Sequence, residues 1–107
     1  MTKLNRELLK RWVAALRSGD YKQGRGHLHS RWDDTYCCLG VLREIEPSIS
    51  QNKHDPNTLD ENSLQEHMGC RFPQGELINM NDGLGKTFPE IADFIENNYI
   101  NNEEDNT

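Results

Sequence analysis

Long apolar stretches are missing from this sequence. No run approaches the roughly 18 apolar residues of a membrane-spanning helix, so the chain is not expected to cross a membrane. Residues 1–6 also lack the apolar stretch of a secretory signal. Apolar residues make up only 34% of the 107, and the mean hydropathy is -0.91. These values predict one thin core with polar loops.

Cysteine is scarce and its count is odd, with Cys37, Cys38 and Cys70. Without a secretory signal, this pattern predicts free thiols in a reducing compartment, hence a cytoplasmic protein. Cys37 and Cys38 are adjacent, so they point in different directions and are not expected to pair. The chain also lacks a C-x-x-C pair, a P-loop and a dinucleotide fingerprint, and we expect neither a metal nor a cofactor.

The net charge of -6 disfavours nonspecific binding to nucleic acid or to an anionic membrane. Its distribution is uneven. Residues 1–53 carry ten Lys and Arg against six Asp and Glu, a net charge of +4, whereas residues 54–107 carry two against twelve, a net charge of -10. Two interpretations remain open: two solvated faces, or halves that neutralise each other within the fold or between subunits.

The first predicted element is an amphipathic helix over residues 4–17. Its apolar residues fall on one stripe with a 3.6-residue period. Thr2 or Asn5 is suited to cap its start, and Gly19 to end it. The stripe consists of Leu4, Leu8, Leu9, Trp12, Val13 and Leu16.

Glycine and aspartate mark residues 20–35 as an irregular hairpin or loop, with strands near 27–32. Residues 36–46 are the most apolar stretch and predict a buried helix capped by Asp34 or Thr35 and ended by Pro47. A strand over 36–41 is the alternative, because Tyr, Cys and Val favour strands.

The second half predicts a long surface loop over residues 47–63 and a short helix from Asp60 or Asn62 to Met68, stopped by Gly69. A strand is expected at 76–80, followed by a turn at 81–85. Asn79, Asn81 and Asp82 are interpreted as turn and cap residues. Thr87 and Glu90 form a capping box for a helix over 88–98, and the acidic tail 101–107 is expected to be disordered.

Together these elements predict an α+β fold, in which two or three helices pack on a small antiparallel hairpin or sheet. Residues 1–100 are expected to form a single globular domain. Because the apolar mass is small, a homodimer would add burial. The expected core residues are Trp12, Leu16, Leu39, Leu42, Ile91 and Ile95.

Several motifs resemble a family of small bacteriophage proteins with the pattern W-ALRSG-Y-Q … YCCLGVL … ND … F-EIA-IE. The matching segments are RWVAALRSGDYKQ at 11–23, GHL at 26–28, YCCLGVL at 36–42, MND at 80–82 and FPEIADFIE at 88–96. The middle, 47–75, diverges. The resemblance implies a phage-encoded accessory protein of the host bacterial cytoplasm. It brings no catalytic residues with it.

A candidate binding segment lies between the first two predicted helices. Cations there surround two glycines, whose backbone amides suit an anion, and the aromatic rings suit a nucleobase. The alternative is a solvated basic turn. The candidate ligand-binding residues are Tyr21, Lys22, Arg25, His27, His29, Arg31, Trp32 and Tyr36.

Thiol chemistry is the second candidate. A helix starting near Tyr36 would place Cys37 and Cys38 in its first turn, where a thiolate is favoured, with His27 or His29 as base. Buried structural cysteines are the alternative. Zinc-type ligands are also available, but no pair has the C-x-x-C spacing that would make a zinc site a strong prediction. They are His67 and Cys70, His27 and His29, and Cys37 and Cys38.

These observations predict a non-enzymatic, phage-type accessory protein that inhibits a host process, such as a defence pathway. It would sequester an anionic nucleotide-like ligand or occupy a host protein. A small Cys/His-dependent enzyme and a structural, virion-associated protein are the alternatives.

Overall fold

A computed structural model describes residues 5–69 and 73–100 of the chain. Helix α1 spans Arg6–Arg17, and Asn5 caps it by accepting a hydrogen bond from the Leu8 amide at 3.1 Å. Gly19, with φ of 81°, follows its end. The predicted helix and stripe are confirmed from Arg6 onward, whereas Leu4 and the alternative cap Thr2 lie outside the described residues.

The predicted hairpin is present but very short. Strand β1 (His29–Ser30) pairs antiparallel with β2 (Thr35–Tyr36), and a four-residue turn joins them. A third extended segment lies beside β2, where Gln23 forms a parallel bridge with Tyr36.

Helix α2 spans Cys38–Ile45 and ends just before Pro47, which confirms the buried helix and excludes the alternative strand. The predicted cap was wrong: Cys37, not Asp34 or Thr35, occupies the N-cap position, without a side-chain hydrogen bond. The helix packs closely on the backbone just before β1, as Gly40 shows. A Cβ at this position would overlap the carbonyl oxygen of Leu28. Only glycine permits this approach.

The segment over residues 47–63 is less of a surface loop than expected. Ile49 and Leu59 are fully buried, and the backbone folds back on itself through an isolated antiparallel bridge between Gln51 and Leu59. Helix α3 then spans Glu61–Met68, capped by Asp60 and ended by left-handed Gly69, as predicted.

The strand predicted at 76–80 was wrong. Helix α4 occupies Gln74–Ile78 and continues into a π-helical turn over Asn79–Gly83. Gln74, Leu77 and Met80 are three residues apart and all buried, which is a helical spacing. The turn expected at 81–85 is therefore partly helical.

Helix α5 spans Phe88–Ile95 and begins with the predicted capping box of Thr87 and Glu90. It packs along α1. A second π-helical turn, Glu96–Ile100, replaces the last α-helical residues expected.

The architecture is a small α+β fold of five helices and one two-stranded hairpin within the described ranges. All six predicted core residues are buried. Arg17 joins the two charged halves through Asp93 at 2.6 Å and Glu96 at 3.0 Å. No helix in the described part of the chain is both long and apolar enough to cross a membrane. The tail 101–107 lies outside the described residues.

Candidate functional site

All eight predicted binding residues lie in residues 21–36, here called the hairpin segment. Three of their rings form one cluster. Tyr36 stacks on His29, its partner across the strand pair, with centroids 4.3 Å apart and planes at 11°. The ring of Tyr21 meets Tyr36 edge-on at 5.3 Å. One face of Tyr36 is therefore already covered within the protein.

Backbone hydrogen bonds hold the start of the hairpin segment against β2. The Tyr36 amide donates to the Lys22 carbonyl at 2.8 Å, and the Gly24 amide donates to the Tyr36 carbonyl at 2.8 Å. These two bonds fix the position of Lys22 relative to Tyr36.

Both carboxylates of the hairpin turn have partners inside the hairpin. Thr35 Oγ1 donates to Asp33 Oδ1 at 2.8 Å, and hydrogen bonds from Thr35 and Ser30 hold the pKa of Asp33 below its usual value. Asp34 adopts a left-handed φ of 55°, and its Oδ1 lies 2.8 Å from Nε2 of His29. The turn is thus fixed by its own polar groups.

The cations of the hairpin segment are instead exposed. Within residues 5–69 and 73–100, no carboxylate lies within 4.0 Å of Lys22, Arg25 or Arg31. Arg31 lies in the turn, whereas the Arg25 guanidinium is directed at the loop before α5, where a Cβ on Gly85 would be 2.8 Å from Nη2. His27 is also exposed, with Nδ1 3.4 Å from the Arg25 carbonyl oxygen.

Trp32 is the most exposed large apolar side chain of the described residues. It lies in the turn between β1 and β2 with 99% of its surface accessible, compared with 62% for Leu84. Almost the whole indole is therefore in contact with solvent, on a turn held by hydrogen bonds within the hairpin.

A network of partly buried side-chain amides connects the hairpin segment to the residues before α5, and sequence analysis missed it. Nε2 of Gln23 donates to Oδ1 of Asn81 at 2.8 Å and to the Lys86 carbonyl at 2.7 Å, while its Oε1 accepts from the Phe88 amide at 3.0 Å. Fully buried Asn81 in turn donates to the Gly24 carbonyl at 2.8 Å. Asn81 was interpreted as a turn or cap residue. Its partner is 58 residues away, which no local pattern reveals.

The cysteines of α2 are not arranged for thiol chemistry. Cys37 and Cys38 are 4% and 0% exposed, and burial raises the pKa of Cys37 to about 11 and that of Cys38 well above its ordinary value. His29 is engaged by Asp34 and Tyr36 on the exposed hairpin. These facts agree with buried structural cysteines. Cys70 lies outside the described residues.

A metal centre has no support within residues 5–69 and 73–100. No group of three or more His, Cys, Asp or Glu side chains there is placed to hold a metal ion. His67 instead directs Nδ1 to the Ser63 carbonyl at 2.8 Å.

Comparison with protein families matches residues 4–69 to a domain of unknown function, DUF8296. Comparison with curated proteins found no match, and neither did comparison with solved structures. The matched range holds α1, the hairpin segment, α2 and α3, and therefore every predicted binding residue. Because the match covers more than half of the chain, the protein belongs to the DUF8296 family.

Proposed function

We propose that this protein is a non-enzymatic, phage-type accessory protein that inhibits a host process, such as a defence pathway, by occupying a host protein with its hairpin segment. The single observation that carries the proposal is Trp32, an almost completely exposed indole on a turn fixed by internal hydrogen bonds. The phage context rests on the sequence motifs described above.

The energetics favour an aromatic anchor over charge attraction. The hairpin segment carries three cations against two carboxylates, a net charge of only +1 with neutral histidines. Exposed ion pairs contribute about 0.2–1 kcal/mol each. Burial of an indole removes roughly 150–250 Å² from water, which at about 25 cal/mol per Å² amounts to several kcal/mol before the costs of association. Trp32 therefore supplies affinity, and the cations supply orientation and association rate.

The contacts that fix the turn also support the proposed role of Trp32 as an anchor. The stack of Tyr36 on His29 and the bonds of Asp33 and Asp34 fix the two strands on either side of the turn. A turn that is already ordered loses little conformational entropy on docking. The rings of His29 and Tyr36 are already engaged within the hairpin, so Trp32 is the aromatic side chain that remains fully available to a partner.

An anionic nucleotide-like ligand is the second candidate for the same surface. The observation that favours it is that Lys22, Arg25 and Arg31 have no carboxylate partner among the described residues. In this form Trp32 stacks on a base and the cations contact phosphates.

The test is retention of a host protein from bacterial lysate by purified wild type and by Trp32→Ala. Lys10→Ala and Lys53→Ala change exposed cations elsewhere and serve as controls. We expect wild type and controls to retain one host protein that Trp32→Ala loses. Equal retention by Trp32→Ala would overturn the proposal.

Calorimetry with nucleotides and cyclic oligonucleotides distinguishes the second candidate. Binding that is lost in Trp32→Ala and weakened in Lys22→Ala and Arg31→Ala supports ligand sequestration. If no nucleotide binds, only the version of the proposal in which the partner is a host protein remains.

A further inference from the structure

The two faces of the hairpin carry different chemistry. On one face Ser30 is paired with Thr35 across the strands, and both bond to Asp33 there. Thr35 is buried on this face. The next pair, His29 and Tyr36, lies on the opposite face, because successive side chains of a strand alternate. This second face is only partly covered, since Tyr36 is half-buried and 40% of the His29 side chain is accessible.

The partly covered face brings aromatic rings together with carboxylates. Its rings are those of Tyr21, His29 and Tyr36, which together are here called the ring face. Asp34 lies 2.8 Å from His29, yet 81% of its side chain is accessible, so it can accept a bond from a further donor. The second carboxylate beside these rings is that of Glu44 in α2.

Two observations place Glu44 beside the ring face. Gly40 approaches the Leu28 carbonyl just before β1, and Glu44 follows it by one helical turn on the same side of α2. The charge of Glu44 also acts on Tyr36: burial, and then the negative charges of Glu44 and Asp34, raise the pKa of Tyr36 above its ordinary value. Glu44 is exposed and has no hydrogen bond or ion pair within the part of the chain that the structure describes.

We propose that the ring face binds the guanidinium group of an arginine side chain presented by a partner protein. The inference deepens the proposed function by naming the chemistry of the partner, and it rests on that function only for the identity of the partner as a host protein. Aromatic faces attract cations and carboxylates pair with them, so both components of the site favour a positive guest. The rings of Tyr21 and Tyr36 meet at 88° and form a corner that can contact one cation from two sides.

A planar guanidinium fits this arrangement better than an ammonium group does. It stacks on an aromatic ring and still donates hydrogen bonds in its own plane to a carboxylate. Because the rings and Glu44 lie on the same side of the hairpin, one arginine can make both contacts at once. A lysine ammonium is a strongly hydrated point charge, so it loses more on leaving water. An anionic guest would be repelled by the two carboxylates.

NMR titration of the isotope-labelled protein with a capped glycine–arginine–glycine tripeptide tests the inference. We expect saturable shifts of the amide signals of Tyr21, His29 and Tyr36. The dissociation constant should be on the order of 10 mM, because an exposed cation–π contact and an exposed ion pair are each weak. The same peptide with citrulline has nearly the shape of the arginine peptide without its charge and should not bind. The lysine peptide should bind more weakly than the arginine peptide.

Matched variants locate the site. Glu44→Gln should weaken binding of the arginine peptide about threefold, and Tyr21→Leu by about the same factor. Glu66→Gln removes the same charge from the exposed side of α3 and should leave the affinity unaltered, which separates the site from general attraction to a protein of net charge -6. Trp32→Ala should also bind normally. Equal binding of the citrulline peptide, or equal affinities of Glu44→Gln and Glu66→Gln, would overturn the inference.

Retention of a host protein from lysate separates this inference from the proposed function. Glu44→Gln should retain less of the host protein that Trp32→Ala loses and Glu66→Gln keeps. Full retention by Glu44→Gln would overturn the inference and leave the proposed function standing. Binding of the arginine peptide with no host protein retained would support the ring face and overturn the proposed function instead.

Discussion

Gln23 and Asn81 meet side chain to side chain, with Nε2 of Gln23 donating to Oδ1 of Asn81 at 2.8 Å. Asn81 is fully buried, and its Nδ2 satisfies the Gly24 carbonyl and Asp82 Oδ1, each at 2.8 Å. One amide thus connects the start of the hairpin segment to the π-helical turn before α5. The hairpin has only two residues per strand, and this connection is one of the contacts that fix its position.

Asn81→Ala is expected to destabilise the protein by about 2–3 kcal/mol, because it removes the donor to the Gly24 carbonyl and one of the two acceptors of Gln23 Nε2. Urea denaturation measures the loss. Asn97→Ala removes an exposed amide and should change the free energy of unfolding by less than about 0.5 kcal/mol. A double-mutant cycle with Gln23→Ala should show a coupling of about 1 kcal/mol or more, and additive effects would contradict the network.

Gly40→Ala is expected to cost about 3 kcal/mol or more, since the new Cβ overlaps the Leu28 carbonyl and forces α2 away from the hairpin. Gly75→Ala is the matched control. Among the residues that the structure describes, no atom lies within 4 Å of a Cβ at Gly75, which is within α4, so this change should be neutral or stabilising by up to about 1 kcal/mol. Thermal denaturation of both variants provides the comparison. Similar melting temperatures would show that α2 and Leu28 are not in close contact.

Stability should fall between about pH 9 and pH 11. Burial raises the pKa of Cys37 from an ordinary value of 9.0 to about 11. In this window the unfolded chain releases the thiol proton while the folded chain keeps it, so rising pH favours unfolding. Two pKa units correspond to roughly 3 kcal/mol.

Urea denaturation across this range, on wild type and Cys37→Ala, isolates the effect, because other titrating groups are common to both. The variant should show the shallower decline. Parallel curves would mean that the Cys37 thiol is not protected by burial.

Gln74→Ala is expected to destabilise by about 2–3 kcal/mol. The buried Gln74 amide accepts from the Leu59 amide and donates to the Leu59 carbonyl at 3.0 Å, so its loss leaves two buried backbone groups without partners. Gln65→Ala, on the partly exposed face of α3, should have little effect. Amide hydrogen exchange provides a local measurement, since the Leu59 amide should lose protection in Gln74→Ala alone.

Local signals predicted α1, α2, α3 and α5, but not α4. The caps Asn5, Asp60 and Thr87 and the stop Gly69 act through atoms within a few residues, and each forms its expected bond or conformation. The buried stripes follow from periodicity over at least two turns. Each of these features depends on residues that are close in sequence, so it can be predicted without knowledge of the fold.

Contacts between distant residues were not predicted. In the five residues 76–80 the apolar positions suit a strand and a helix alike, and only burial of Gln74 decides for the helix. Gln74 is buried because Leu59 supplies its partners, 15 residues away. The hairpin segment was located from its glycines and rings, but its support by Gln23 and Asn81 depends on the tertiary fold.

Helix α5 packs along α1, yet it lies beyond residue 69, where the match to the family ends. A fragment cut at that boundary would keep the hairpin turn but lose the neighbour of its first helix, together with Asn81. We expect such a fragment to be unfolded. We therefore expect the minimal autonomous folding unit to be longer than the segment by which the family is recognised.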